Sequence, residues 1–88
     1  MVKKSLVIDT KDNVAVLLEK AMAKDKIEVN GSTIELGQDI DFGHKVALCD
    51  LKANDNVYKY GVEIGYMLED IPKGSWIHNH NMGCRRGN

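Results

Sequence analysis

From Lys26 onward the chain is cut into short pieces by turn-forming residues: Asn30-Gly31, Gly37, Gly43, Ala53-Asn-Asp-Asn56, Gly61, Gly65 and the Pro72-Lys-Gly74 turn. Between them lie apolar or alternating runs of strand length, too short for a stable helix. Ile27-Glu-Val29 alternates into Asn30-Gly31, the strongest short hairpin signal, and Thr33-Ile-Glu-Leu36 resumes the alternation. This predicts Ile27, Val29, Ile34 and Leu36 on one buried face, with Glu28 and Glu35 in water. His44–Leu51 is apolar on both faces from Val46, the mark of a central strand. Val57–Tyr60, Val62–Ile64, Tyr66–Leu68 and the stretch after Gly74 complete six to eight short strands. The expected architecture is a mostly β domain with a small barrel-like or clip-like core and no internal repeat.

The earlier part is less clear. Val14, Leu17, Leu18, Ala21 and Met22 follow helical spacing, with Asp12 or Asn13 as N-cap, and pattern alone slightly favours a helix. Val14-Ala-Val-Leu-Leu18 is equally a continuous apolar run of strand length. The expected layout is an N-terminal arm at residues 1–11, one domain at residues 12–81 and a flexible tail at residues 82–88.

Composition narrows the function classes. Eighty-eight residues make a single thin core, burying roughly two-thirds of the unfolded surface, with little room for an enclosed active site. Catalysis is therefore expected at the surface or at a joint with a partner. A net charge of −1 and five aromatic residues without a basic stripe argue against nucleic acid. No apolar run is long enough to span a membrane, and Leu6-Val-Ile8 meets Asp9 too soon for a signal-peptide core, so a cytoplasmic setting is expected. Cys49 reads as a buried thiol, and Cys49 and Cys84 have no metal-type spacing.

Chemistry-bearing residues concentrate in Gly74-Ser-Trp-Ile-His-Asn-His-Asn81. In an extended strand, His78 and His80 would share a face roughly 6–7 Å apart and reach a common metal ion. Two solvated histidines on an edge strand are an equally good reading of that spacing. Gly43 delivers His44 and Lys45 at the mouth of the central strand, a reasonable carboxylate site, with a turn bearing two solvated side chains as the alternative. Lys59-Tyr-Gly61 and Gly65 suggest sharp bends or a close backbone approach, with plain strand-end punctuation as the alternative.

Taken together, Asp12-Asn-Val-Ala-Val16, Gly43-His-Lys-Val-Ala-Leu48, Lys59-Tyr-Gly61, Ile64-Gly65, Asp70-Ile71, Gly74 and Trp76-Ile-His-Asn-His-Asn81 resemble the SAF-type domain of altronate and galactarate dehydratases, the UxaA family. The same module occurs as a separate small subunit, including that of sulfolactate sulfo-lyase. The resemblance implies a β-clip fold, with a strand at residues 13–18 and a short turn, at most one helical turn, at residues 19–25. The loop Ala23-Lys-Asp-Lys26 lacks the glycine that the family pattern leads one to expect.

The resemblance also implies elimination of water from a sugar acid to a 2-keto-3-deoxy acid, with a divalent metal, iron(II) before manganese(II) or zinc(II). It implies a large catalytic subunit as partner, and a homo-oligomer is also compatible. On this reading His78 and His80 are the metal ligands, His44 and Lys45 the catalytic pair, and His44, Lys45, Lys59 and Asn81 contact substrate. Two alternatives stand beside it: the small subunit of sulfolactate sulfo-lyase, and a non-catalytic SAF-type module binding a carbohydrate or a partner surface.

Overall fold

Val14-Ala-Val-Leu17, where pattern alone leaned towards a helix, is a strand with all four side chains buried. Its apolar residues serve two faces of a sheet rather than one face of a helix, which is why its periodicity misleads. The computed structural model describes residues 2–84. It contains β1 (Val2–Lys3), β2 (Ser5–Leu6), β3 (Val14–Leu17), β4 (Lys26–Val29) and β5 (Ser32–Glu35). Then come β6 (Lys45–Ala47), β7 (Asn56–Lys59), β8 (Val62–Met67), β9 (Trp76–Ile77) and β10 (Met82–Gly83), with no helix among the described residues. The mostly β expectation holds.

The strands form a four-stranded sheet, β2-β3-β6-β9, and two three-stranded ones, β1-β4-β5 and β10-β8-β7. The four-stranded sheet is the divider. Ala15, Leu17 and Val46 face one side and pack with Ile27, Ile34, Leu36 and Ile40 around the first hairpin, with Trp76 against them. Val14, Ala47 and Ile77 face the other side and pack with Leu51, Val57, Met67 and Ile71 around the second hairpin. Strand alternation sends neighbouring residues to opposite faces, so each hairpin covers one face of the sheet with half of the β3, β6 and β9 side chains. Ile27 pairs with Ile34, and Glu28 and Glu35 are exposed, as the alternation predicts.

An internal repeat is present after all. Ala21 and Ile40 exchange backbone hydrogen bonds of 2.9 Å, and thirty-odd residues on Leu51 and Ile71 exchange bonds of 2.9 and 2.8 Å. Asp25 accepts from the Met22 N–H at 2.9 Å, as Asp55 does from Lys52. Asp39 accepts from Ala23 at 2.8 Å, as Asp70 does from Ala53. Both hairpins turn through left-handed pairs, Asn30-Gly31 (φ 51 and 81) and Tyr60-Gly61 (φ 57 and 77). The bend lacking its expected glycine is made by Lys24 at φ 76, matched by Asn54 at φ 74. A register shift in the β7–β8 ladder between Val57 and Tyr58 adds one residue to the second unit, so the two halves drift out of any fixed period.

Other expectations also change. Val62–Ile64 and Tyr66–Leu68, read as separate pieces, are joined in the single strand β8, which continues through Gly65 and ends at Met67. A side chain at Gly65 would meet the Gly83 carbonyl, so the close backbone approach is the reading of this glycine that holds, and it admits β10. Met82 and Gly83, expected in a tail, pair with Met67 and Tyr66. The remainder of that tail, residues 85–88, lies outside the described residues. The N-terminal arm is laced in, with β1 parallel to β4 and β2 antiparallel to β3. Cys49 is exposed rather than buried, because β6 ends at Ala47 and the chain bends outwards. Among the described residues no helix is long and apolar enough to cross a membrane.

Candidate functional site

The repeat explains how the site is delivered. Gly43 at φ 84 donates its N–H to the Leu17 carbonyl at 2.8 Å and turns the chain into β6. Gly74 at φ 90 donates to the Ala47 carbonyl at 2.9 Å and turns it into β9. β6 and β9 run antiparallel, with Lys45 opposite Ile77 and Val46 opposite Trp76. Continued by one residue, that register sets His44 opposite His78. Their rings stack with centroids 4.6 Å apart and planes 8° from parallel. Trp76 lies 5.7 Å from each of them and donates its indole N–H to His44 Nδ1 at 3.0 Å.

β9 stops at Ile77, so the extended alternation that would carry His80 beside His78 does not occur. The N–H groups of Asn81 and Met82 both donate to the His78 carbonyl, at 3.1 and 3.0 Å, closing a turn. The Asn81 amide completes it, accepting from the His78 N–H at 3.0 Å and donating to the Trp76 carbonyl at 2.9 Å. An asparagine that bonds nearby backbone in this way competes with the strand ladder and ends it. His80 is carried back onto Trp76 instead, with centroids 4.6 Å apart and planes at 42°. On the same edge, the Trp76 N–H donates to the Gln38 side-chain oxygen at 3.1 Å.

The residues singled out in the sequence thus separate into three places. His44, His78 and His80 gather around Trp76. Lys45 leaves β6 on the opposite face, with Ala47 and Ile77. There burial, and then the Lys59 charge, hold its ammonium below the usual lysine value. Lys59 also sits 5.0 Å from the centroid of the Tyr60 ring. Asn81 is 3% exposed, the buried polar side chain of the described residues, and both ends of its amide hold the turn. Sequence reasoning did not count Trp76 and Gln38 as site residues. The i, i+2 spacing of Trp76 and His78 carried a signal for the first; Gln38 left none.

His78 is held below the ordinary histidine value by burial first, then by His44, Lys45 and His80. Its Nδ1 is shut off from solvent and has no hydrogen-bond partner among the described residues. A neutral imidazole nitrogen without a partner suits a borderline divalent ion. Among the described residues, however, no three His, Cys, Asp or Glu side chains are placed to hold a metal, so the fit is to part of a ligand set.

Comparison with known proteins places the whole chain. The profile of the altronate/galactarate dehydratase SAF domain matches residues 3–85. Altronate dehydratase of Escherichia coli (strain K12) is 46% identical over 70 residues, 80% of this chain and 14% of that protein. Altronate dehydratase of Bacillus subtilis (strain 168) is 39% identical over 79 residues, 90% of this chain and 16% of that protein. The (2R)-sulfolactate sulfo-lyase subunit alpha of Paracoccus pantotrophus is 50% identical over 48 residues, 54% of this chain and 72% of that subunit. The chain therefore spans about a seventh of the dehydratases' length, corresponding to one module within them. With a match across nearly its whole length, this chain belongs to the altronate/galactarate dehydratase SAF-domain family.

Proposed function

We propose that this chain is the small, SAF-domain component of a metal-dependent carbon–oxygen lyase that dehydrates a sugar acid such as altronate or galactarate to a 2-keto-3-deoxy acid. The observation that carries the reading is the gathering of His44, His78 and His80 around one indole at a sheet edge. It lies in a module that accounts for only 14% of a dehydratase. The remaining groups come from a large catalytic subunit docked against this edge.

In this reading His78 and His80 hold a divalent ion, iron(II) first, together with ligands from the partner. When bound, such an ion supplies Lewis-acid stabilisation of the enediolate and the departing hydroxyl. His44 hydrogen-bonds substrate oxygens beside it. The Lys45 and Lys59 ammonium groups add positive potential from the other face of a thin sheet, and Asn81 keeps the histidine turn closed. The test is reconstitution with a dehydratase-like large subunit and ferrous iron. Keto-acid formation should need both chains, and His78→Ala should abolish iron-dependent turnover. Dehydration by this chain alone, or failure of the two chains to associate, contradicts the proposal.

A second reading follows from the coverage of subunit alpha of sulfolactate sulfo-lyase, where the matched region is 72% of the whole subunit. There the leaving group is sulfite and the partner is that lyase's large subunit. Sulfite release from (2R)-sulfolactate, without keto-acid formation from galactarate, selects this alternative.

A further inference from the structure

Trp76 does more than pack against the histidines. Its indole N–H meets His44 Nδ1 at 3.0 Å, and the two ring planes lie within 6° of parallel. An indole nitrogen can only donate, so the His44 nitrogen that it meets must present its lone pair. In a neutral imidazole one nitrogen accepts and the other carries the hydrogen, which leaves the hydrogen of His44 on Nε2. Trp76 is itself held at both ends. Its N–H is on Gln38, its carbonyl is on the Asn81 amide, and His80 lies against its ring. The donor therefore has little freedom to swing away from His44.

We propose that Trp76 is a positioning residue that fixes the tautomer of His44, making Nε2 a dedicated hydrogen-bond donor to an anionic oxygen of a hydroxy-acid substrate rather than a metal ligand. The substrate-facing half rests on the reading given above for the histidine cluster. The two stacked imidazoles then have different duties. His44 donates where negative charge develops during an elimination, and His78, whose Nδ1 has no hydrogen-bond partner, keeps an accepting nitrogen. Without the indole donor the His44 ring is free to place its hydrogen on either nitrogen, and the division is lost.

Long-range 15N–1H correlation spectra of the full chain, with chelator and above about pH 8 where imidazoles are neutral, test this directly. The wild type should show His44 with a bare Nδ1 and a protonated Nε2. Trp76→Phe should move the tautomer ratio towards Nδ1–H by about fivefold, the worth of one neutral hydrogen bond of about 1 kcal/mol. Replacing Trp76 by 3-benzothienylalanine, which keeps the size and face of the indole but has no N–H, should do the same without disturbing the fold. Nδ1–H at His44 in the wild type, or an unchanged ratio in the benzothienyl variant, overturns the assignment. Galactarate added to the wild-type chain reconstituted with the dehydratase-like large subunit should shift the His44 Nε2–H downfield. An intact tautomer with no response to galactarate overturns the substrate-facing role and counts against the sugar-acid reading, while the Trp76–His44 pairing stands.

Discussion

His44 and His78 meet face to face across the β6–β9 ladder, their ring centroids 4.6 Å apart. Protonating one ring places a positive charge against the other, and His78 already lies below its ordinary value of 6.5 through burial and then through His44. With chelator present, its titration followed by NMR should therefore have a depressed midpoint. His44→Asn should raise that midpoint part of the way back, because burial still acts. The sign for stability follows. Below pH 6.5 the unfolded chain takes up this proton before the folded one does, so thermal stability should fall as pH drops through the window down to the folded midpoint.

Asn81 is the buried amide that closes the histidine turn. Asn81→Ala leaves the Trp76 carbonyl and the His78 N–H without their partners, and should cost about 2 kcal/mol in chemical denaturation. Asn81→Asp should not rescue the loss, because it sets an oxygen against the Trp76 carbonyl. His80 should lose its ring contact with Trp76 in either variant, visible as a change in the His80 side-chain shifts.

Tyr60 occupies a left-handed position at φ 57 where the first hairpin has Asn30 at φ 51. A bulky side chain is strained there, whereas Asn-Gly is the favoured pair for this turn. Tyr60→Asn should raise stability by about 0.5–1 kcal/mol, after allowance for the lost Lys59–Tyr60 contact. A thermal melt with no gain would show that the tyrosine makes contacts that offset the backbone strain.

Asp12 ties the arm to the second hairpin. Its carboxylate accepts from the Gly61 N–H at 2.7 Å, and from Asp9 and Ile8 at 3.2 and 3.3 Å. Burial pushes this carboxyl up, but the backbone N–H groups, Gly61 foremost, together outweigh it and hold the group below the usual 3.8. The stabilisation is present above that value and is lost as pH falls through the folded one. Asp12→Asn should cost about 1 kcal/mol at neutral pH and flatten the acid limb of the stability profile in melts from pH 7 to 2.

Much of the fold was legible because the turn chemistry is local. Asn30-Gly31, Gly43 and Gly74 announce their bends, and the first hairpin follows from the alternation of Ile27, Val29, Ile34 and Leu36. The repeat was hidden because its matching residues are scattered and a one-residue register shift breaks their spacing: Asp25 and Asp55, or Asp39 and Asp70, make the same bonds, whereas Lys24 and Asn54, or Asn30 and Tyr60, share only a φ region. The candidate site was legible as a set of histidines but not as an arrangement. Whether His80 follows His78 along a strand depends on Asn81 folding back three residues, and whether Lys45 joins His44 depends on which face of β6 each one takes. Gln38 reaches Trp76 from 38 residues away, a contact that no local pattern encodes.

The outer edge of β9 has a backbone donor and acceptor on Trp76, and both are already taken, by Gln38 and Asn81. An open edge would invite another strand to add itself, and this one offers no such docking rail. A subunit approaching from this side must grip rings instead of main chain. The large subunit proposed above would meet there one indole and three imidazoles, a surface of ring faces in place of a strand edge.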